Sequence, residues 1–131
     1  MVVGIGIDTV EVRQFGERLT PELVEELFLA DEIAYCRSQR YGAQNFAARF
    51  AAKEAAFKAL GAGLEQGLRW HDVEVVRQPS GSVGLTLRGL AAEFARRQGV
   101  GHTLLSLSHT RQSAIAMVLM QNRAAAHEER P

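Results

Sequence analysis

Arg49-Phe50-Ala51-Ala52-Lys53-Glu54-Ala55-Ala56-Phe57-Lys58-Ala59-Leu60-Gly61 is the stretch from which the fold is read. It continues an alanine-rich segment without proline or interior glycine that starts near Gly42. The segment predicts one long helix over 42–60, stopped by Gly61. At about 100° per residue from Phe46, Phe57 falls near 20°, Phe50 near 40° and Leu60 near −40°, an apolar stripe. Lys53 comes out near −20°, inside the stripe, while Arg49 lies near −60° on one flank and Glu54 and Lys58 near 80° and 120° on the other. A cation in an apolar stripe needs a partner, an anion, or a stem long enough to carry the ammonium to water.

Outward from this helix the chain divides into short elements. Residues 1–8 read as a strand ending at Asp8, and Thr20-Pro21 is a helix start for residues 21–29, with threonine as the cap. Asp31 is placed to cap a second short helix through Gln39. Residues 73–77 and 83–88 form a hairpin across Gln78-Pro79-Ser80-Gly81. Leu90–Gln98 is a short amphipathic helix stopped by Gly99. Thr103–His109 and Ser113–Met120 are strands joined through Thr110-Arg111-Gln112. This order indicates an α+β domain over residues 1–121, a largely antiparallel sheet packed with one long and several short helices. Residues 122–131 are expected to be a frayed tail.

Composition limits the function. The chain has 131 residues, 47% hydrophobic and 23% charged, and fifteen basic side chains balance fifteen acidic ones. That suits one globular domain and argues against a general nucleic-acid or membrane-surface binder. No apolar run is long enough to span a bilayer and the N-terminus carries no basic leader, so a cytoplasmic protein is expected. The lone Cys36 reads as structural. Thirteen of the basic residues are arginine; the two lysines, Lys53 and Lys58, both lie in the long helix.

Three groups of residues carry possible chemistry. Glu54 and Lys58 are either an i, i+4 surface pair worth roughly 0.2–0.5 kcal/mol or, with Arg49 and Lys53, a metal-binding carboxylate among cations suited to a phosphorylated substrate. Asp8 is either a turn or cap residue for the segment 9–16, or a carboxylate presented in a cleft. Gly4-x-Gly6 lacks the third glycine of a dinucleotide fingerprint. His109 shares a strand face with Leu105 and Leu107 and is either a structural hydrogen-bond donor ending a buried strand or, followed by Thr110 and Arg111, part of a donor-rich corner suited to phosphate.

Taken in order, Gly4-Ile5-Gly6-Ile7-Asp8-Thr9-Val10-Glu11-Val12, the Arg49–Gly61 run, and Leu105-Ser106-Leu107-Ser108-His109-Thr110 resemble the holo-acyl-carrier-protein synthases, the short stand-alone branch of the 4′-phosphopantetheinyl transferases, over about residues 1–120. The resemblance implies that family's fold and a magnesium-dependent transfer of the phosphopantetheine arm of coenzyme A to a serine of an apo acyl carrier protein. Adenosine 3′,5′-bisphosphate leaves, and the reaction supports fatty acid biosynthesis. It implies that Asp8 and Glu54 bind the metal, that Lys58 reaches the pyrophosphate, and that Arg49, Lys53, His109 and Thr110 line the coenzyme A site. Either Glu54 or a metal-bound water would take the serine proton. A homotrimer with active sites shared between subunits is implied as well.

One departure concerns the partner. The family often carries a basic residue six positions beyond the aspartate, to dock the acidic carrier. Here Gln14 stands there, with Arg13 one position earlier and Arg18, Arg37 and Arg40 as other possible contacts. Two further readings compete: a non-catalytic trimeric binding module of the same fold, and a carrier protein. The presence of Asp8, Glu54, Lys58 and His109 favours the enzyme over the first, and the lack of an Asp-Ser-Leu attachment site disfavours the second.

Overall fold

The structure, a computed structural model, describes residues 1–123. Strand β1 (Val2–Glu11) leads into helices α1 (Val12–Arg18), α2 (Pro21–Leu27), α3 (Ala30–Ser38) and α4 (Gly42–Leu60). Two 3-10 turns, Leu64–Gln66 and Trp70–Asp72, precede the hairpin of β2 (Val73–Arg77) and β3 (Val83–Leu87). Helix α5 (Gly89–Arg97) and the hairpin of β4 (Val100–His109) and β5 (Ser113–Asn122) follow. The sheets are antiparallel: three strands in the order β1-β5-β4, and the separate pair β2-β3. Among the described residues no helix is long and apolar enough to cross a membrane.

Helix α4 forms at its expected bounds and ends on Gly61 at φ 69°, the left-handed conformation glycine adopts without strain. Its two lateral faces differ in side-chain size. Ala51, Ala52, Ala55, Ala56 and Ala59 share one core with Ala116, Val118 and Met120 of the three-stranded sheet and with Val73 and Ala91. Phe46 and Phe50 pack instead with Phe28, Leu27 and Cys36 of the short helices. Twelve of the nineteen α4 residues are buried, so α4 is a central helix rather than one with a single apolar stripe.

The glycines of β1 make the sheet side possible. Alternation turns Gly4, Gly6, Asp8 and Val10 toward α4 and Ile5, Ile7 and Thr9 away from it. A side chain on Gly4 would run into the Ala59 carbonyl, and one on Gly6 into the Ala55 carbonyl. Gly4-x-Gly6 is thus a packing device between strand and helix, and no dinucleotide turn.

Four local expectations change. Strand β1 continues past Asp8 to Glu11, because Asp8 pairs with Ala116 in mid-ladder and the pairing ends only at Glu11 and Ser113. Residues 12–18 form the additional helix α1, anchored by the buried Val12. Thr20 caps α2 as expected, its Oγ1 accepting the Leu23 N–H at 3.1 Å. The cap of α3 falls at Leu29; Asp31 lies exposed in the first turn, and the Glu32 carboxylate accepts the Leu29 N–H at 2.8 Å. Strand β5 runs through Asn122, whose Oδ1 accepts from the N-terminal ammonium at 2.9 Å, so residue 122 is not tail. Residues 124–131 of the expected tail lie outside the described residues.

Candidate active site

Asp8, Glu54 and Lys58 come together where β1 crosses α4. The Lys58 Nζ lies 2.9 Å from Asp8 Oδ1 and donates to the Ile7 carbonyl at 3.1 Å. Lys58 thus pairs across the chain, and the alternative of a Glu54–Lys58 surface pair is not its main contact. The hydrogen bond to Asp8 holds the Lys58 ammonium above its ordinary pKa. Partial burial, reinforced by the charge of Asp8, pushes the Glu54 carboxyl up against the opposing pull of Lys58. A carboxylate whose charge is disfavoured by burial and by a second carboxylate, beside a cleft, suits a hard divalent cation. Next to them Phe57, Gly63, Leu64 and Trp70 wall a groove of about 430 Å³ that Glu54 and Lys58 also line.

Lys53 is not part of this cleft. It is 0% exposed, 2.9 Å from Glu32 Oε1, and its ammonium donates to the carbonyls of Trp70, at 3.2 Å, and Val73. The other Glu32 oxygen accepts the Val75 N–H at 2.8 Å. Burial pulls the Lys53 pKa down, and Glu32 counters it. The expectation that Lys53 lines the coenzyme A site is therefore corrected. Neither snorkelling to water nor facing a ligand, Lys53 ties α4 to α3 and to the start of β2. A pair this buried is costly to break, because the remaining charge has no water to turn to.

Arg49 and His109 meet elsewhere. Arg49, 3% exposed, and His109, exposed at the end of β4, line a groove of about 420 Å³ with Tyr35, Arg77 and Ser82. The Arg49 Nε is a buried donor without a hydrogen-bond partner among the described residues. Thr110 belongs to the β4–β5 turn, its Oγ1 accepting the N–H groups of Gln112 and Ser113 at 3.2 and 3.1 Å. Tyr35 and Arg77 were not singled out from sequence: their segments carry no motif, and only packing of α3 against β2 unites them.

The remaining candidates lie on the outside. Arg13 and Gln14 are exposed on α1, with Arg13 3.6 Å from Glu17, and Arg18, Arg37 and Arg40 are exposed too. Cys36 is buried against α2 and α4, and burial pushes its thiol up to about 11, which fits a structural, unreactive cysteine.

The model of the 4′-phosphopantetheinyl transferase superfamily matches residues 4–118. The holo-[acyl-carrier-protein] synthase of Koribacter versatilis is 42% identical over 125 residues, covering 93% of this chain and all of that protein. The crystal structure of the Bacillus anthracis holo-(acyl-carrier-protein) synthase in complex with CoA (3′,5′-ADP) superposes with a TM-score of 0.79 at 28% identity, over 94% of this chain and 99% of the other. The Helicobacter pylori holo-[acyl-carrier-protein] synthase in complex with coenzyme A gives 0.77 at 28% identity, over 89% and 99%.

Proposed function

Because the chain belongs to the 4′-phosphopantetheinyl transferase superfamily, we propose that it moves the 4′-phosphopantetheine arm of coenzyme A onto a serine of an apo acyl carrier protein. Adenosine 3′,5′-bisphosphate leaves, and the product serves fatty acid synthesis in the cytoplasm. The relatives that match the chain nearly end to end are named for this activity. The observation that carries the reading is the grouping of Asp8, Glu54 and Lys58 beside an open groove.

Asp8 and Glu54 would hold a magnesium ion. Two carboxylates are enough for a cation that keeps water and phosphate oxygens in its other positions. When bound, the ion supplies positive charge to the pyrophosphate. Lys58, an ammonium on a flexible stem 2.9 Å from Asp8, adds a movable second charge for the same oxygens. The carrier serine oxygen forms its bond to the phosphorus bearing the pantetheine arm, and the bond from that phosphorus to the bisphosphate breaks. Glu54 takes the serine proton, since Asp8 is already engaged by the Lys58 ammonium. Arg49 and His109 receive the nucleotide end of coenzyme A, where a guanidinium with a free donor suits a phosphate.

Those two halves occupy opposite flanks of α4, about 140° apart between Arg49 and Glu54. A ligand using both would have to wrap around the helix within one chain, whereas between two copies the halves can face each other. The outer face of the three-stranded sheet supports such an assembly: Ile5, Ile7, Leu104, Ile115 and Met117 are 40–60% exposed there. The ladders set Ile7 opposite Met117, and Leu104 and Ile5 opposite Leu119, in one apolar patch. The protein acts as a homotrimer with shared sites. The carrier docks near α1, with Arg13 and Arg18 supplying the positive charge that Gln14 does not.

The test mixes the protein with an apo carrier, coenzyme A and magnesium and weighs the carrier. One phosphopantetheine is added, and none when the metal is chelated or when Asp8→Ala or Glu54→Ala replaces the wild type. Absence of the adduct with every apo carrier tried would instead indicate a non-catalytic binding module.

A further inference from the structure

The groove of Arg49 and His109 contains a feature outside the three sequence motifs. The guanidinium carbons of Arg49 and Arg77 lie over the ring of Tyr35, 4.5 and 4.6 Å from its centroid. Arg77 also donates from Nη1 to the Tyr35 hydroxyl. Among the described residues neither arginine forms an ion pair, although acids are close by. Glu32 is committed to Lys53 and to the N–H groups of Leu29 and Val75, and Glu74 is committed to Arg88. Asp31 is exposed and lines a cavity with Tyr35, Arg49 and Arg77, yet among the described residues it forms an ion pair with neither arginine. Two guanidiniums that never lose their charge are thus held against one neutral ring, and the Nε of the more buried one is unpaired.

Two like charges drawn to one ring repel each other, and the negative face of an aromatic ring offsets part of that cost while holding each guanidinium near it. A phosphate monoester carries close to two negative charges and accepts from several N–H groups at once, which is what two preset guanidiniums supply. We propose that Tyr35 is a positioning residue: by stacking under Arg49 and Arg77 it holds both ready for the 3′-phosphate of coenzyme A. Tyr35 touches no substrate atom in this arrangement. It makes the groove discriminate for that phosphate. The proposal rests on the assignment of this groove to the nucleotide end.

The full-length protein is compared as wild type, Tyr35→Phe, Tyr35→Leu and Arg49→Ala, with coenzyme A and with 3′-dephospho-coenzyme A as substrates. Loss of the ring in Tyr35→Leu raises KM for coenzyme A about tenfold, the order expected for two stacked cations. Its kcat stays within about twofold and KM for the dephosphorylated substrate is unchanged. Tyr35→Phe, which keeps the ring and loses only the hydroxyl, shifts the KM ratio of the two substrates by about twofold to threefold, and carries the test alone if Tyr35→Leu does not fold. An equal change of KM for both substrates, or a fall in kcat alone, overturns the role of Tyr35. Arg49→Ala separates the two levels. If it discriminates between the substrates while the Tyr35 variants do not, the groove assignment stands and Tyr35 is merely structural. If Arg49→Ala does not discriminate either, the assignment falls and the proposal with it.

Discussion

In the proposed reaction, Glu54 is placed where folding and catalysis ask opposite things of one carboxylate. Burial and the nearby Asp8 raise its pKa, so the folded protein holds this proton more tightly than the unfolded chain does. The stability from that preference is full below the ordinary glutamate pKa and is lost as pH rises through the raised value. Above the raised value the ionised carboxylate therefore opposes folding. Glu54→Gln, which removes the charge and keeps the shape, is expected to raise Tm at pH 7 in the presence of a chelator while abolishing transfer. Magnesium should raise Tm of the wild type and leave that of the variant unchanged, as scanning calorimetry would show; a lower Tm for the metal-free variant contradicts the repulsion. At this scale Asp8, Glu54 and Lys58 were legible, because each stands in a recognisable run. Lys53 was legible only as an anomaly on an apolar face. Its partner Glu32 is twenty-one positions away, and helical periodicity says nothing about what another helix will bring to that face.

Among the elements, the contact of β1 with α4 does most to bring Asp8 and Lys58 of the candidate site together. Strand and helix approach until the strand backbone touches the helix backbone, and that closeness puts Asp8 within reach of Lys58. Gly6→Ala would push a methyl into the Ala55 carbonyl, where no flexible side chain can give way. The expected cost is about 3 kcal/mol or more, read from urea unfolding, together with loss of transfer activity as α4 moves off the strand. An unperturbed midpoint would mean the strand can retreat freely. The long helix, the hairpins and the caps at Thr20, Gly61 and Gly99 were readable because they depend on neighbours a few positions apart. Helix α1 was not: it is one short element that follows β1 without a turn, and only the buried Val12 and its packing on α4 reveal it. The two glycines were noticed, but the element they serve lies fifty residues on.

For the molecule as a whole, the sheet face that is exposed among the described residues and the proposed division of the site across α4 point to the same conclusion. Placing a lysine at Ile5 and another at Met117 puts charges in the middle of that patch, on side chains that do not enter the core of a single chain. The double variant is expected to fold, to sediment as a monomer, and to lose transfer activity by orders of magnitude, since the Arg49 half would no longer meet the Glu54 half. A monomer of full activity would show that one chain holds the whole site. The sequence by itself determined the α+β class, the bounds of the long helix and the candidacy of Asp8, Glu54 and Lys58. Each follows from local periodicity or from motifs short enough to read along the chain. Tertiary structure alone decided that Lys53 is internal, that Gly4 and Gly6 are contact points, and that Tyr35 gathers two arginines. These depend on pairings between segments far apart in sequence, and such pairings are set by packing in three dimensions rather than by any spacing along the chain.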